Sequence, residues 1–278
     1  MSSASTPPRF PRWQDLTSRE LSALPSESVA VMVLGAIEQH GAHLPLATDL
    51  VIGEGLLDAA QGHLPADFPL VVLPAMAIGA SDEHLSFPGT LSLSPELAIA
   101  TLEAYGEAVA RAGFKRLLWI NSHGGNKAVM DLAALRLRRR HGLLVVKLHY
   151  TRLSLPDTLA PDAPPAEGLP IEELRHGLHG GAVETAMMRY LAPTQVRLDH
   201  LADVPSRGRT MAAQGKRLGP EGEASFAWLA EDLNPLGVVG NAQLGTRELG
   251  VQLVAHYGER IARLVVETAE TSLDDPVR

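Results

Sequence analysis

An unbroken apolar run, Ser28-Val-Ala-Val-Met-Val-Leu34, leads directly into Gly35-Ala-Ile-Glu-Gln-His-Gly-Ala-His-Leu-Pro-Leu-Ala-Thr-Asp49. A valine-rich run of that length, bounded by polar residues, predicts a buried strand. Glu38, His40, His43 and Asp49 are therefore expected where a strand ends. In open α/β sheets ligands bind in the crevice beyond the carboxyl ends of the strands, so this position carries a functional expectation as well.

The remaining pattern alternates. Leu50 to Gln61 predicts a helix closed by Gly62, and Asp49 then doubles as a possible N-cap. Leu70 to Leu73 predicts a second strand, followed by an irregular Gly-, Pro- and Ser-rich segment from Ala80 to Ser92. Ser94-Pro95-Glu96 has cap, first-turn proline and acid in order for a helix running to Ala112 and stopping at Gly113. A strand from Phe114 to Ile120, a loop from Asn121 to Asn126, a helix from Lys127 to His141 and a strand from Leu143 to Tyr150 follow. Such alternation predicts parallel β-α-β units with helices on both faces, and it brings the 121–126 loop to the same sheet edge as the first.

Beyond Leu153 the pattern lapses until Arg175, with five prolines and five acids between Pro156 and Glu173. A long irregular stretch inside a compact domain is expected to cover the site or to pack against a neighbouring subunit. His176-Gly-Leu-His-Gly-Gly-Ala-Val-Glu184 then opens an apolar helix reaching Tyr190, and a Gly-rich region, 237–246, precedes a long C-terminal helix from about Arg247.

Composition narrows the function classes. With 278 residues, 45% of them hydrophobic, and no linker, one domain spanning 1–278 is expected. A net charge of -8 and a pI near 5.8 supply no basic field, which argues against nucleic-acid binding. The one basic cluster, Arg136, Arg138, Arg139 and Arg140, lies in a helical stretch and reads as a solvated face. No apolar run approaches the roughly 20 residues of a membrane helix, and the N-terminal stretch has no apolar core of a signal peptide, so a cytoplasmic protein without membrane partners is expected. Cysteine is absent, which leaves nitrogen and oxygen to hold any metal.

Such ligands are available. Glu38 and His40 are two residues apart and project to one side of an extended segment. Asp49, His123 and Glu184 complete a set of three carboxylates and two imidazoles suited to zinc, manganese or iron, and able to hold two divalent ions if Asp49 bridges. Each residue singly has a plainer reading, as a cap or a turn hydrogen bond; the set carries the inference. Gly-x-Ser-x-Gly, His-Glu-x-x-His, phosphate-loop and Gly-x-Gly-x-x-Gly motifs are all missing, which removes the corresponding chemistries.

Glu38-Gln-His-Gly-Ala-His-Leu-Pro-Leu-Ala-Thr-Asp49, Phe87-Pro-Gly-Thr90, Asn121-Ser-His-Gly-Gly-Asn126 and His179-Gly-Gly-Ala-Val-Glu184 together resemble the signatures of the creatininase family. The resemblance implies an α/β/α sandwich with a mostly parallel sheet, a pair of divalent metals, and a homo-oligomer, commonly a hexamer. It also implies hydrolysis of a cyclic or otherwise non-peptide amide in a small molecule. Glu38, His40, Asp49 and His123 match the family's metal ligands, and Glu184 is assigned as the fifth ligand or as an acid/base group. Creatinine-hydrolysing members resemble Gly-His-Tyr-Glu-Asn where this chain has Asn121 to Asn126. An aromatic contact and an acidic ligand thus give way to Gly124 and Gly125, so creatinine is not the expected substrate.

The mechanism expected is attack by metal-activated water. His179 protonates the leaving nitrogen, the amides of Gly124 and Gly125 steady the oxyanion, and His84 joins them as a substrate contact. The same fold and metals are also compatible with a formamide, a short peptide, a C–C bond beside a carbonyl, or a non-catalytic metal-binding scaffold.

Overall fold

The computed structural model describes residues 9–159 and 169–272. Four parallel strands, β1 (Val29–Leu34), β2 (Leu70–Val72), β3 (Arg116–Asn121) and β4 (Leu144–His149), form a sheet of order β2-β1-β3-β4. Every residue of β1 is buried. Alternate side chains of a strand point to opposite faces. Accordingly Val29, Val31 and Val33 enter one apolar cluster while Ala30, Met32 and Leu34 enter another.

The helices are α1 (Ser18–Ser22), α2 (Thr48–His63), α3 (Pro95–Arg111), α4 (Asn126–His141), α5 (Ile171–His176), α6 (Ala182–Leu191), α7 (Arg207–Ala213), α8 (Ala230–Leu233) and α9 (Arg247–Glu270). Ile52 and Leu56 of α2, Met187 of α6, and Leu253 and Ile261 of α9 cover the first face. Leu102 of α3 and Met130 and Leu137 of α4 cover the second. The result is the expected three-layer α/β/α arrangement around a parallel sheet.

Several boundaries move. α2 starts at Thr48 and runs through Gly62, and Ala47 stands at its cap position without a side-chain hydrogen bond. Asp49 is therefore inside the first turn and is not the cap, which frees its carboxylate. Ser94 does cap α3, its hydroxyl accepting from the Leu97 amide at 3.3 Å. On α4 only Leu137 of the three leucines beside the arginines is buried, and Arg136 and Arg140 pair with Glu103 of α3 as well as facing solvent. The expectation for 156–173 falls largely on 160–168, outside the described residues. Its end is not irregular: 171–176 forms α5, and Glu173 turns its carboxylate inward to accept from the amides of Ala182 and Asn241, both at 2.7 Å. No described helix is long and apolar enough to cross a membrane.

α6, which brings Glu184 to the sheet edge, lies against α9 so closely that a Cβ at Gly250 would fall on the Ala186 carbonyl oxygen. Overpacking of this kind costs about 1–3 kcal/mol. Gly250→Ala is expected to lower the urea unfolding midpoint accordingly with the denaturant slope unchanged, and an unaltered midpoint would show that the two helices can separate freely.

Candidate metal centre

Three loops meet beyond the carboxyl ends of β1, β2 and β3, and the first residue of α4 ties them together. Asn126 donates from Nδ2 to the Gly35 carbonyl and to Asn121 Oδ1, both at 3.1 Å, and its Oδ1 accepts from the Ala80 amide at 3.1 Å. Ser122 donates to the carbonyl of Asp49 at 2.7 Å, which fixes the start of α2 against β3. Since β1 and β3 pair in register with Leu34 opposite Asn121, the loops that follow leave the sheet side by side.

Their side chains converge. His123 Nδ1 lies 3.2 Å from Glu38 Oε2 and 3.3 Å from Asp49 Oδ2. His40 Nε2 lies 3.5 Å from Asp49 Oδ1 and 4.0 Å from Glu184 Oε2. Glu38, His40, Asp49 and His123 are at most 4% exposed, and Glu184 is partly open. Two ligand-capable groups result, Glu38/Asp49/His123 and His40/Asp49/Glu184, with Asp49 common to both. A third comprises Glu38, His40 and His179.

Burial raises the cost of charge here, and the neighbours decide who carries it. Burial pushes the Glu38 carboxyl up, but His123, His179 and His40 outweigh it and hold it well below the usual range. Burial likewise opposes the imidazolium of His40, yet Asp49, Glu184 and Glu38 raise it to about 9. His123 is raised well above its ordinary value against the same opposition, by Glu38 and Asp49. Glu184 is pushed up to about 7, chiefly by burial, with Asp49 and Glu38 adding and His40 opposing.

Among the buried atoms without a hydrogen-bond partner are Glu38 Oε2, His40 Nε2 and Asp49 Oδ2. A buried polar atom without a hydrogen bond is costly, and three of them, held only by ion-pair approaches of 3.2 to 3.5 Å, suit a divalent cation of the zinc, manganese or iron class.

Of the other expected residues, His84 donates toward Glu38 Oε1 at 3.3 Å and His179 Nδ1 lies 3.8 Å from the same oxygen. Burial lowers His84 to about 4, with His123 and His40 adding, and holds His179 well below its ordinary value, with His40 and His84 adding. Both are therefore neutral near pH 7. The amides of Gly124 and Gly125 are engaged by no described residue. Gly125 admits no side chain, because a Cβ would sit 2.5 Å from His123 Nε2 and 2.7 Å from Glu83 Oε1 and would collide with the Ala80 carbonyl.

Sequence reasoning missed Glu83, Gln39 and Asn121. Glu83 Oε1 stands 3.8 Å from His123 Nε2, and Asn121 donates to the His123 carbonyl at 2.6 Å. Gln39 was legible only as the spacer between Glu38 and His40. Beside Gln39 and His43 opens a cavity of about 390 Å³ walled by Phe87, Pro88, Val204, Leu236 and Val238, with no carboxylate, lysine or arginine in its lining.

The profile of the creatininase family, Creatinine amidohydrolase, matches residues 14–265. A mycofactocin precursor peptide peptidase of Mycolicibacterium smegmatis is 30% identical over 241 residues, 86% of this chain and 84% of that protein. A creatinine amidohydrolase of Pseudomonas putida is 29% identical over 204 residues, 69% of this chain and 75% of that protein. Among solved structures, a creatininase described as Mn superposes with a TM-score of 0.75 at 24% identity, covering 94% of this chain and all of that one. A creatininase variant of Zn-Zn type reaches a TM-score of 0.72 at 25% identity, covering 94% of this chain and 98% of that one.

Cation uptake must displace the protons of this centre. With His40 at about 9 and His123 raised, both are imidazolium at pH 7 in the ion-free protein, so binding is expected to release protons and affinity to climb as pH rises through about 9. Calorimetric titration with zinc in two buffers of different ionisation enthalpy reads this release, and a buffer-independent heat would contradict it. For ion-free folding the sign is opposite: because the folded pKa of His40 is raised, its stabilisation is complete below about 6.5 and is lost as pH rises through about 9.

Proposed function

The chain belongs to the creatininase family, whose relatives compared above are hydrolases of amide C–N bonds, and from that premise we propose that it hydrolyses an amide at a centre holding two divalent ions. The carrying observation is Asp49, whose two oxygens face the imidazoles of two separate ligand-capable groups while Oδ2 has no hydrogen-bond partner. On this reading Glu38 and His123 would hold one ion and His40 and Glu184 the other, with Asp49 shared between them. Bound ions of this kind acidify a water and polarise a carbonyl. Removal of Asp49 as Asp49→Ala is expected to abolish stoichiometric binding at both positions, read by elemental analysis, whereas retention of one full equivalent would end the bridging role.

The protein's own residues handle orientation and the proton. The unengaged amides of Gly124 and Gly125, just before α4, would receive the developing oxyanion. His179 donates from Nε2 to the Gln39 carbonyl at 2.7 Å, which leaves Nδ1 as a lone pair turned toward the carboxylates. Held neutral, it begins as an acceptor. It takes a proton from the attacking water at Nδ1 and returns it to the nitrogen as the C–N bond breaks, so no proton is gained or lost overall.

The substrate class rests on two observations. The apolar cavity beside Gln39 supports an amide bearing an uncharged substituent, and a relative 30% identical is a peptide peptidase. A short peptide with an apolar side chain is accordingly the favoured reading over a small polar ring. The described residues are read as one domain, since both apolar clusters lie on one sheet. Exposed Leu85, Leu91 and Leu236 support a homo-oligomer, with the family resemblance suggesting a hexamer.

His179→Asn separates the roles open to this residue. A general acid/base group contributes about 10²- to 10⁴-fold, so turnover of an unactivated amide is expected to fall by about that factor with metal content unchanged. An activated ester, whose leaving group needs no proton, should lose less, because only the transfer from water then depends on His179. Loss of metal would instead make His179 a ligand, as its grouping with Glu38 and His40 allows.

A further inference from the structure

Gln39 is almost fully buried and spends every polar atom of its side chain on a defined partner. Its Oε1 accepts from the Gly41 amide at 3.0 Å, while Nε2 donates to the Gly237 carbonyl at 2.5 Å. One partner is only a donor and the other only an acceptor, so the amide has a single orientation. The second Nε2 hydrogen then points to His84 Nδ1, 2.9 Å away. Nδ1 of His84 must be bare, and its proton must sit on Nε2, facing Glu38 Oε1 at 3.3 Å.

The main chain of the same residue fixes the same tautomer next door, on a ring turned so that its other nitrogen faces the carboxylates. The Gln39 carbonyl accepts at 2.7 Å from His179 Nε2, so that nitrogen carries the proton and Nδ1 is bare. The 3.3 Å approach of Gln39 Nε2 to His179 Nε2 is a contact between two donors, since both amide hydrogens are already used. His84 and His179 are stacked, with ring centroids 4.3 Å apart, and nothing in their own chemistry distinguishes them.

We propose that Gln39 is a positioning residue that sorts these two stacked imidazoles into opposite roles, a donor to Glu38 at His84 and an acceptor facing the carboxylates at His179. The catalytic consequence rests on the hydrolytic reading above; the sorting itself does not. A donor on Oε1 engages that oxygen and leaves Oε2 turned toward His123 and Asp49. An acceptor at His179 Nδ1 is what a proton-receiving group requires. Through Gly237 the same side chain also anchors the loop that carries Leu236 and Val238, so the wall of the apolar cavity and the protonation pattern of the centre share one amide.

The test reads tautomers directly, by long-range ¹H–¹⁵N correlation of ¹⁵N-histidine in the zinc-loaded protein. In the native protein His84 is expected as Nε2–H and His179 as Nε2–H, with each Nδ1 showing the shift of an unprotonated nitrogen. In Gln39→Glu the donor becomes an acceptor, so His84 Nδ1 gains a proton while His179, held through the main chain, keeps its pattern. Gln39→Met preserves bulk without either hydrogen bond and should leave His84 a mixture of tautomers, which keeps the test open if the glutamate variant fails to fold. Unchanged His84 signals in both variants, or equal changes at His84 and His179, would overturn the proposal. Amide turnover should fall about 10- to 100-fold in either variant, the usual effect of losing a group that orients the residues around a metal. Should the native protein hydrolyse no amide while the tautomers behave as stated, the functional reading falls and the role of Gln39 stands.

Discussion

Two carboxylates, Glu38 and Asp49, are buried together at 1% and 2% exposure beyond the end of one sheet, and much of the surrounding architecture compensates for that fact. An isolated carboxylate out of water would protonate. Here each has imidazole neighbours: His123 reaches both, and His40 and His84 each reach one. The imidazoles in turn cannot drift. His123 Nε2 donates to the Ala80 carbonyl at 2.8 Å, His40 Nδ1 donates to the Glu38 carbonyl at 3.1 Å, and Asn126 locks the loops that carry these carbonyls. Groups placed behind a ligand in this way fix its tautomer and ring orientation, which is half of what makes a set of ligands a site.

Much of this was legible in the sequence, for identifiable reasons. The Ser28-to-Leu34 run reads as a buried strand because both faces of β1 are covered, which suppresses any polar alternation. The loops at 35–49 and 121–126 had to be neighbours once the sheet was parallel, and the register of β1 with β3 makes them so. Asp49 carried two readings, a helix cap and a ligand, and the structure separates them. Aspartate just before a helical pattern looks like an N-cap, and only the true start of α2 at Thr48 turns its carboxylate from the helix backbone to the centre. Gln39 and Asn121 were invisible for a different reason. A neutral amide carries no charge pattern or spacing signal, and its importance lies in which partner each of its atoms meets.

Glu83 and Gly125 belong to one local accommodation. The missing side chain at 125 leaves the space in which the Glu83 carboxylate and the Ala80 carbonyl approach His123. Burial raises Glu83, and the pull of His123 only partly offsets it. The loop after β2 thus supplies the Glu83 carboxylate, whereas the loop after β3 supplies the His123 imidazole and the backbone amides of Gly124 and Gly125. The amides of Gly124 and Gly125 are engaged by no described residue.

Glu184 differs from the other candidate ligands in how it reaches the centre. Glu38, Asp49 and His123 are carried by, or directly follow, elements of the central β1–β3 unit, but Glu184 arrives on α6, which is held by α9 and by the close contact at Gly250. Its carboxylate accepts from the Gly180 amide at 2.6 Å and approaches His40 from the open side. The second half of the centre is therefore completed by packing between the C-terminal elements and not by the sheet. On the two-ion reading proposed above, a cation held between His40, Asp49 and Glu184 would bind only the chain in which α6 has docked, so its binding free energy would add to the stability of that docking. Metal affinity and the α6–α9 contact would then be two readings of one equilibrium: loosening the helix crossing would weaken the ion, and removing the ion would loosen the crossing.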